Sequence, residues 1–418
     1  MHKKRILALP GVFLPHNETI TQITYKILCN LDYEIDVLAF KALPDRYFED
    51  YIKNDKKFKK FNINYIDIDW KKLDFNSKNP NFLRTIKYIN LYIEKAMELA
   101  SKNEYDCVFS FSMPNYTHLA AYKIKKKYNE KIKWFASYSD PIHKNLYVEQ
   151  LKNEKLKTKI LYILLKLIVY RKKYQDVTLK YANKLIFISD ALKKYVTEDK
   201  KEYYKKSIIY PITYVKEWPN YQKLTEVSKN KDNLKDNKIV FAHFGNIYGL
   251  RKIDKFLEAL NELIKEKKID PKKIEIHQYG DVDKNQINLF KGSEVLFVHD
   301  RVDYDKCIEL MKKSDVLLIF DTIVDENEIQ PFLPSKITDY LLTNKPIFAV
   351  TTKNSPLYDI INKKHICASY NIENIKECLL KQINNIDNVS NDIKKYDNDY
   401  VSKRVFKDLL DVIELEEE

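Results

Sequence analysis

Glycine is scarce in this sequence, with five glycines among 418 residues. Glycine adopts left-handed backbone angles without the strain that a side chain brings, so a chain with so few is expected to place each one where another residue would fit badly. The glycines therefore mark the positions where tight loops and close contact with a ligand are expected.

Cysteine pairs, metal-ligand clusters and long apolar runs are lacking as well. The five cysteines stand far apart with no CxxC pair, so neither a disulfide framework nor a zinc knuckle is indicated. No histidine cluster has metal-ligand spacing. The apolar run at 6–9 is far shorter than the core of a signal peptide, and no segment reaches the roughly 18 to 20 apolar residues of a membrane span. We expect a cytoplasmic protein, free or held at the inner face of the cell membrane, with no metal or cofactor.

The composition favours a globular protein with an anionic partner. It is 44% hydrophobic and 32% charged, which argues against disorder, and the length suggests two domains. The 73 basic and 60 acidic residues give a net charge of +13. Such an excess favours nucleotide phosphates, an anionic lipid surface or nucleic acid, although a lysine-rich composition throughout the chain would explain part of it. No helix-turn-helix, RRM or aromatic-basic stripe is present, so we expect no nucleic-acid binding.

Each half of the chain opens in the same way. An apolar run reaches Gly11 in the first half and Gly245 in the second, and each is followed by a tight loop and a helical pattern. Continuous apolar strands that alternate with helices are typical of parallel sheets covered on both faces. We therefore predict the fold class α/β, with two Rossmann-like doubly wound domains. Further strands are predicted at 35–40, 107–111, 132–137, 185–188, 274–279, 295–298, 316–319 and 347–350.

A polar segment separates the two halves. Residues 218–237 contain Pro219 and then a run rich in Lys, Asn and Asp, which is typical of a linker with no core of its own. We predict an N-terminal domain at 1–217, this linker, and a C-terminal domain at 238–395. Residues 396–418 are predicted to form an amphipathic helix with an acidic tail, which could pack on either half.

The segment 160–173 departs from the general pattern. Residues 160–170 contain a single polar residue, Lys166, and lysines and Arg171 flank the run on both sides. A basic amphipathic helix that makes peripheral contact with a membrane has this composition. A helix with basic ends that faces the protein core has it too, and the sequence favours neither alternative.

Two stretches are suited to binding phosphate. Ligands of doubly wound sheets bind beyond the carboxyl ends of the strands, where helix N-termini present free backbone N–H groups. The first stretch runs from Gly245 through Asn246 to Arg251. Its two glycines let the backbone approach a ligand, and Arg251 can reach a diphosphate. A strand-to-helix turn without any ligand would have the same composition.

The second stretch, 331–341, reads Pro-Phe-Leu-Pro-Ser-Lys-Ile-Thr-Asp-Tyr-Leu and is typical of a helix begun by proline. Ser335 and Thr338 can offer hydrogen-bond donors to a phosphate, and Lys336 can offer a charge. Asp339 can accept hydrogen bonds from ribose hydroxyls. The alternative is a capped helix with a solvated lysine and aspartate.

These stretches resemble the motifs of GT-B glycosyltransferases, closest to the large family-four group. The likeness extends to Gly280 in Gln-Tyr-Gly-Asp and to Lys345-Pro346 before a buried strand, and it covers nearly the whole chain. It implies two Rossmann-like domains that face a cleft, with a nucleotide-sugar donor held by the second. Arg251 and Lys336 would neutralise the donor diphosphate.

The same resemblance assigns further donor contacts. It implies that Asp339 holds the ribose and that the backbone around Arg301 and Val302 meets the base. The family has two glutamates separated by seven residues; Asp339 occupies the second position, whereas Pro331 occupies the first. Asp321, Asp325 and Glu328 lie just upstream, and we expect Glu328 to contact the sugar in place of the missing glutamate.

In the N-terminal half, Asp140 follows an apolar strand in Ser-Asp-Pro, which resembles the Asp-Pro element of many family-four enzymes. A carboxylate there could position or deprotonate an acceptor hydroxyl, or stabilise positive charge at the anomeric carbon. An aspartate before proline is also a common turn and helix cap. Gly11, His16, Asn115 and His118 follow predicted strands and are candidates for the acceptor side.

The resemblance implies transfer of a sugar from a nucleotide sugar to a glycan or lipid-linked acceptor in cell-surface polysaccharide synthesis. It also implies retention of the anomeric configuration without a metal. One alternative is a sugar-nucleotide epimerase of the same architecture, which would use carboxylates and histidines to move protons. The other is a non-catalytic protein that binds nucleotides or other anions.

Overall fold

The chain forms two structural units. The computed structural model describes residues 4–13, 19–41, 56–68, 82–153, 156–168, 171–226, 238–290 and 292–414. Unit 1 comprises Met1–Thr213 and Asn398–Glu418, and unit 2 comprises Tyr214–Asp397. The chain therefore passes from unit 1 into unit 2 and returns to unit 1 at its last helix.

Unit 1 is built on a parallel sheet. The seven strands among its described residues are β1 (Arg5–Val12), β2 (Glu34–Phe40), β3 (Phe61–Ile66), β4 (Cys107–Phe111), β5 (Lys133–Tyr138), β6 (Lys184–Phe187) and β7 (Ser207–Ile209). They pair in parallel in the order β3-β2-β1-β4-β5-β6-β7. The central strands β4 and β5 are buried along their whole length, as expected for strands covered on both faces.

The helices of unit 1 connect these strands. They are α1 (Thr19–Leu28), α2 (Phe82–Lys102), α3 (Tyr116–Tyr128), α4 (Leu146–Glu149), α5 (Leu156–Ile168), α6 (Lys172–Tyr181), α7 (Asp190–Thr197) and α8 (Lys201–Lys205). The Ser189 hydroxyl begins α7 by accepting a hydrogen bond from the backbone N–H of Leu192 at 3.1 Å. Throughout the described part of the chain, every helix is too short or too polar to cross a membrane.

Unit 2 repeats the arrangement with six strands among its described residues. They are β8 (Ile239–Phe244), β9 (Ile274–Tyr279), β10 (Leu296–His299), β11 (Val316–Phe320), β12 (Ile347–Val350) and β13 (Ile366–Ala368). They pair in parallel in the order β10-β9-β8-β11-β12-β13. In both sheets the order runs outward on one side of the first strand and then resumes on its other side, which is the doubly wound topology.

Two apolar cores lie on the two faces of the unit 2 sheet. The helices of unit 2 are α9 (Pro219–Glu226), α10 (Asp254–Lys265), α11 (Lys284–Ile287), α12 (Tyr304–Lys313), α13 (Ile337–Leu342), α14 (Pro356–Ile361) and α15 (Ile372–Ile383), and α16 (Asn398–Glu414) follows them as the last helix of unit 1. Neighbouring side chains of a strand point to opposite faces, so Phe241 joins α10 and α15 in one core while Ala242 joins α12, α13 and α14 in the other.

The predicted fold class is confirmed for each unit. Every strand predicted from an apolar run lies within one residue of an observed strand. The strands β3, β7 and β13 were not predicted. Asn62 and Asn64 interrupt the apolar pattern of β3, and β7 and β13 are only three residues long.

Two local predictions differ from the structure. In the predicted linker, Pro219–Glu226 forms α9, and Leu224 is buried in the core of unit 2 beside α12 and α13; residues 227–237 lie outside the described residues. The predicted helix start at Pro331 is wrong, because α13 begins at Ile337. The Gln330 side chain accepts a hydrogen bond from the backbone N–H of Phe332, which holds this stretch in a non-helical conformation.

A buried polar network ties α16 to unit 1. The Asn398 side-chain oxygen lies 2.7 Å from the hydroxyl of Tyr210 and 2.8 Å from that of Thr213. The Tyr210 hydroxyl is also 2.8 Å from the Ser402 hydroxyl and 3.0 Å from the backbone oxygen of Lys26. The helix that the sequence could assign to either half therefore completes the first one.

We predict that Asn398→Ala lowers the free energy of unfolding of unit 1 by about 1 to 3 kcal/mol, because the buried hydroxyls of Tyr210 and Thr213 lose their shared acceptor. Urea unfolding followed by circular dichroism measures the change. The matched control is Lys403→Ala, which alters an exposed side chain on the same helix and should change the free energy by less than about 0.5 kcal/mol. Equal effects of the two variants would contradict the role of the network.

Candidate functional site

The candidate site lies at the carboxyl ends of the unit 2 strands, where the strand order reverses between β8 and β11. Ligands of doubly wound sheets bind at such points because the connections on either side leave toward opposite faces and open a crevice. Three of the predicted donor segments meet here. They are the loop after β8 (245–251), the loop after β9 (280–283) and the start of α13 at Lys336.

Two glycines allow the loops after β8 and β9 to touch. Gly280 has a φ angle of +121°, and a Cβ atom at this position would lie 2.8 Å from the carbonyl oxygen of Gly245. The loops then run side by side. The backbone N–H of Ile247 donates to the oxygen of Asp281 at 2.9 Å, and the N–H of Asp281 donates to the Asn246 side chain at 3.1 Å. A side chain at position 280 would push the loops apart.

Lys336 reaches inward beneath the first of these loops. Gly245 has a φ angle of +138°, and a Cβ atom there would overlap the Lys336 ammonium group. Lys336 Nζ lies 2.9 Å from His243 Nε2, and His243 Nδ1 lies 2.6 Å from Gln278 Oε1. Gln278 Nε2 in turn donates to the carbonyl oxygen of Gly245 at 2.7 Å. These side chains form the Lys336–His243–Gln278 chain.

The hydrogen bonds of the Lys336–His243–Gln278 chain assign its protons. Because Gln278 Nε2 donates to a carbonyl, Oε1 of the same amide faces His243, so His243 Nδ1 must carry a proton. Burial and the positive charge of Lys336 lower the pKa of His243 well below its ordinary value. The ring is therefore neutral, and its Nε2 is free to accept a hydrogen bond from Lys336.

Two basic side chains, Lys336 and Arg251, influence each other electrostatically at this site. Burial lowers the pKa of Lys336 well below its ordinary value, and the positive charge of Arg251 lowers it further. The backbone of Arg251 is held by two interactions. Its N–H donates to the backbone oxygen of Tyr248 at 3.0 Å, and Arg251 forms an antiparallel β-bridge with Thr322. An anion bound here would offset the repulsion between the two cations.

Asp321, which follows β11, connects the segments around this site through hydrogen bonds. It is buried, and its carboxylate accepts hydrogen bonds from the Gln330 side chain at 2.7 Å and from the Thr351 hydroxyl at 2.8 Å. Burial raises the pKa of Asp321 to about 6, while the Thr351 hydroxyl, the backbone N–H of Thr322 and the charge of Arg251 act in the opposite direction. With its carboxylate engaged by protein donors, Asp321 joins β11 to β12 and to the loop before α13.

The residues predicted to meet the base follow β10. The guanidinium of Arg301 forms an exposed ion pair with the carboxylate of Asp281, with 2.6 Å between Nη2 and Oδ2. Val302, the next residue in the chain, is half-buried. Because Asp281 belongs to the loop after β9, this pair links the ends of β9 and β10.

The remaining donor candidates differ in exposure. Ser335 is exposed at the start of α13, Thr338 is buried within that helix, and Asp339 is half-buried one position further. Glu328 is exposed in the loop after β11, where its backbone N–H donates to the oxygen of Asp325 at 2.9 Å. Of this group, Ser335, Asp339 and Glu328 present side-chain surface to solvent.

In unit 1, Asp140 follows β5 and is half-buried. Its Oδ2 accepts a hydrogen bond from the Ser139 hydroxyl at 2.9 Å. The backbone N–H of Ser139 donates to the hydroxyl of Ser112 at 2.9 Å, and Ser112 directly follows β4. Asp140 therefore lies at the carboxyl edge of the unit 1 sheet, where the ends of two neighbouring strands are joined.

Two acceptor-side candidates are enclosed within unit 1. His118 is fully buried, its Nδ1 lies 2.7 Å from the Ser110 hydroxyl, and burial lowers its pKa to about 3. Asn115 is fully buried as well. Neither side chain is exposed to a ligand. Within the described residues, no group of three His, Cys, Asp or Glu side chains is arranged to hold a metal ion.

The other two acceptor-side candidates lie near the end of β1. Gly11 has a φ angle of +82°, and a Cβ atom there would lie 2.7 Å from Cδ of Pro114. The absence of a side chain thus lets β1 pack closely against the loop after β4. His16 lies outside the described residues.

His243 and Gln278 are site residues that the sequence does not single out. Each stands two positions before a glycine at the end of its strand, and the two residues pair in register across β8 and β9. His243 is also the single polar side chain in β8. A polar residue two positions before a strand-end glycine, repeated on neighbouring strands, is the signal that could have identified them.

Known structures share this architecture, although the sequence matches no protein family and no curated protein. HepE from Anabaena, solved in complex with UDP and glucose, is 11% identical and has a TM-score of 0.61, with 98% of this chain and 100% of that chain covered. A glycosyltransferase from Rickettsia africae is 15% identical with a TM-score of 0.59, and 99% of each chain is covered.

A trehalose-phosphate synthase has the same architecture. The UDP-forming alpha,alpha-trehalose-phosphate synthase from Burkholderia xenovorans, in complex with glucose-6-phosphate, is 8% identical with a TM-score of 0.63, covering 97% of this chain and 100% of that chain. At these identities the likeness concerns the fold. The chain has the GT-B fold of nucleotide-sugar glycosyltransferases.

Proposed function

We propose that the protein is a glycosyltransferase that binds a nucleotide sugar on unit 2 and transfers the sugar to a glycan or lipid-linked acceptor. One observation carries the proposal: Arg251 and Lys336 bring two positive charges to the switch point of a GT-B fold, beside two loops that contain glycine. A nucleoside diphosphate carries negative charge, which would offset the positive charges of these two side chains.

A diphosphate meets the electrostatic requirement of the site. Lys336 loses solvation where it lies, and Arg251 disfavours its charged form, so an anion close to both would stabilise both. The Lys336–His243–Gln278 chain holds the ammonium group beneath Gly245 before any ligand arrives. In the transfer step the same two cations would stabilise the negative charge that grows on the departing nucleoside diphosphate.

We assign the other donor contacts to side chains around this point. Asp339, half-buried in the first turn of α13, would accept hydrogen bonds from the ribose hydroxyls. The backbone at Arg301 and Val302 would contact the base. Glu328, exposed in the loop after β11, would contact the sugar in place of the glutamate that family-four enzymes carry at the position of Pro331.

The comparisons suggest the first donor and acceptor to test. HepE was solved with UDP and glucose and the synthase from Burkholderia xenovorans is UDP-forming, so UDP-glucose is the first donor. The family-four resemblance supports an acceptor used in cell-surface polysaccharide synthesis and retention of the anomeric configuration. Asp140, held by Ser139 at the end of β5, is our candidate for orienting the acceptor hydroxyl.

Incubation with a panel of radiolabelled nucleotide sugars tests the donor site. The wild-type protein should bind at least one of them and hydrolyse it slowly. Lys336→Met keeps the apolar stem but removes the charge, so it should weaken binding of the matching nucleoside diphosphate by about 10- to 100-fold, the loss expected for a hydrogen bond to a charged group. Isothermal titration calorimetry measures the Kd.

The matched control for Lys336→Met is Lys252→Ala, which removes the same charge from an exposed neighbour of Arg251. It should change the Kd by no more than about twofold, because exposed charges are screened by solvent. The proposal fails if no nucleotide sugar binds, or if the control weakens binding as much as Lys336→Met does.

Nucleoside diphosphate binding should take up protons. In the free protein the pKa of Lys336 is lowered, and a bound diphosphate should raise it again toward the ordinary value of about 10.4. Between these two values the complex holds more protons than the free protein, so affinity falls as the pH rises through that range. Calorimetry in two buffers with different ionisation enthalpies measures the uptake. Proton release, or an uptake that persists in Lys336→Met, would contradict this account.

Asp140→Asn should lower the rate of sugar transfer by about 100-fold or more, the contribution expected of a general base, and should leave the Kd for UDP unchanged. Steady-state transfer rates and calorimetry give the two values. Asp176→Asn, which alters an exposed carboxylate paired with Lys172 in the same unit, is the control and should leave the transfer rate unaltered. A full transfer rate in Asp140→Asn would remove this residue from the mechanism.

A further inference from the structure

Helix α5 presents an apolar stripe to solvent. Leu156, Ile160, Ile163 and Leu167 are 74%, 51%, 52% and 61% exposed, which makes them the four most exposed large apolar side chains of the described residues. Their spacing of four, three and four residues places them within an arc of about 60° on a helix with 3.6 residues per turn. The stripe is continuous along the helix.

The orientation of α5 is fixed from the opposite side. The helix rests on α4 and on residues 150–153. Lys166 Nζ lies 2.6 Å from one oxygen of the Glu149 carboxylate, and the Tyr162 hydroxyl donates to the other at 3.1 Å. Both side chains lie outside the arc of the stripe: Lys166 lies beside it, and Tyr162 lies farther round the helix. The ion pair and hydrogen bond therefore hold the apolar stripe outward.

Within the described residues, helix α5 is not buried by the rest of the protein. Among the described side chains of α5 none is buried, and those that do not belong to the stripe are half-buried or, like Lys159, exposed. A helix that is apolar on most of its circumference is normally enclosed. The alternative interpretation, that this segment faces the protein core, is therefore wrong for the four side chains of the stripe. Only a partner molecule can remove these side chains from water.

The charges around the stripe indicate which partner this is. Residues 155–175 contain seven lysines and arginines and no aspartate or glutamate. Lys152, Lys159, Arg171 and Lys173 are exposed. A second copy of the chain would bring two such positive surfaces against each other. An anionic lipid surface offers both an apolar phase for the stripe and negative head groups for the lysines.

We propose that α5 docks unit 1 on an anionic lipid bilayer, with the helix lying in the interface and the stripe turned toward the acyl chains. The helix has 13 residues, a length of about 20 Å that suits an interfacial position and is too short for a span. The docking surface belongs to unit 1 and does not depend on the donor reaction proposed for unit 2.

Co-sedimentation of the full chain with vesicles tests the docking surface. The wild-type protein should sediment with vesicles of phosphatidylcholine mixed with phosphatidylglycerol. A smaller fraction should sediment with vesicles of phosphatidylcholine alone. Added salt should reduce the fraction that sediments with the mixed vesicles. Ile163→Ser/Leu167→Ser should reduce partitioning to the mixed vesicles by about tenfold or more. Both side chains are exposed, so the circular dichroism spectrum and UDP binding should not change.

The matched control is Ile86→Ser/Leu289→Ser, which alters two side chains that are 39% and 42% exposed elsewhere on the surface; its partitioning should equal that of the wild type. Three outcomes would overturn the proposal. The first is failure of the wild-type protein to sediment with the mixed vesicles, and the second is a loss of binding in the control as large as in the stripe variant. Sedimentation velocity could instead show a dimer that Ile163→Ser/Leu167→Ser dissociates, which would assign the stripe to a second copy.

Discussion

A lysine side chain beneath a backbone loop is stable only where space and a hydrogen-bond acceptor are supplied together. Gly245 supplies the space for Lys336, and the neutral ring of His243 supplies the acceptor. Gln278 fixes that ring and also holds the carbonyl of Gly245, and Gly280 lets the neighbouring loop close over the same carbonyl. The ends of β8 and β9 and the start of α13 thus depend on the Lys336 side chain, and a change at any of these positions disturbs the others.

The two units share a topology but use their switch points differently. In unit 1, Gly11 near the end of β1 packs against Pro114 in the loop after β4, and His118 is buried. In unit 2 the equivalent position carries Arg251 and Lys336, and the positive charge of Arg251 lowers the pKa of Lys336. The same backbone plan therefore places different side chains at the two switch points, a glycine packed against proline in unit 1 and two basic residues in unit 2.

Much of this was accessible from the sequence, and the remainder required the long-range pairing of strands. Runs such as 316–319 and 347–350 predict buried strands because continuous apolar residues suit a sheet covered on both faces. Lys336 could be predicted as a phosphate contact from its place before a short helix. Its inward path could not, because that path depends on the register of β8 against β9, which brings His243 beside Gln278.

The return of the chain to unit 1 has a consequence for synthesis. All residues of unit 2 leave the ribosome before Asn398 does, so the second unit can close its cores while the first still lacks a helix. Until then the hydroxyls of Tyr210 and Thr213 lack the Asn398 oxygen that they share in the complete fold. The half of the protein that is made first is therefore the half that finishes folding last.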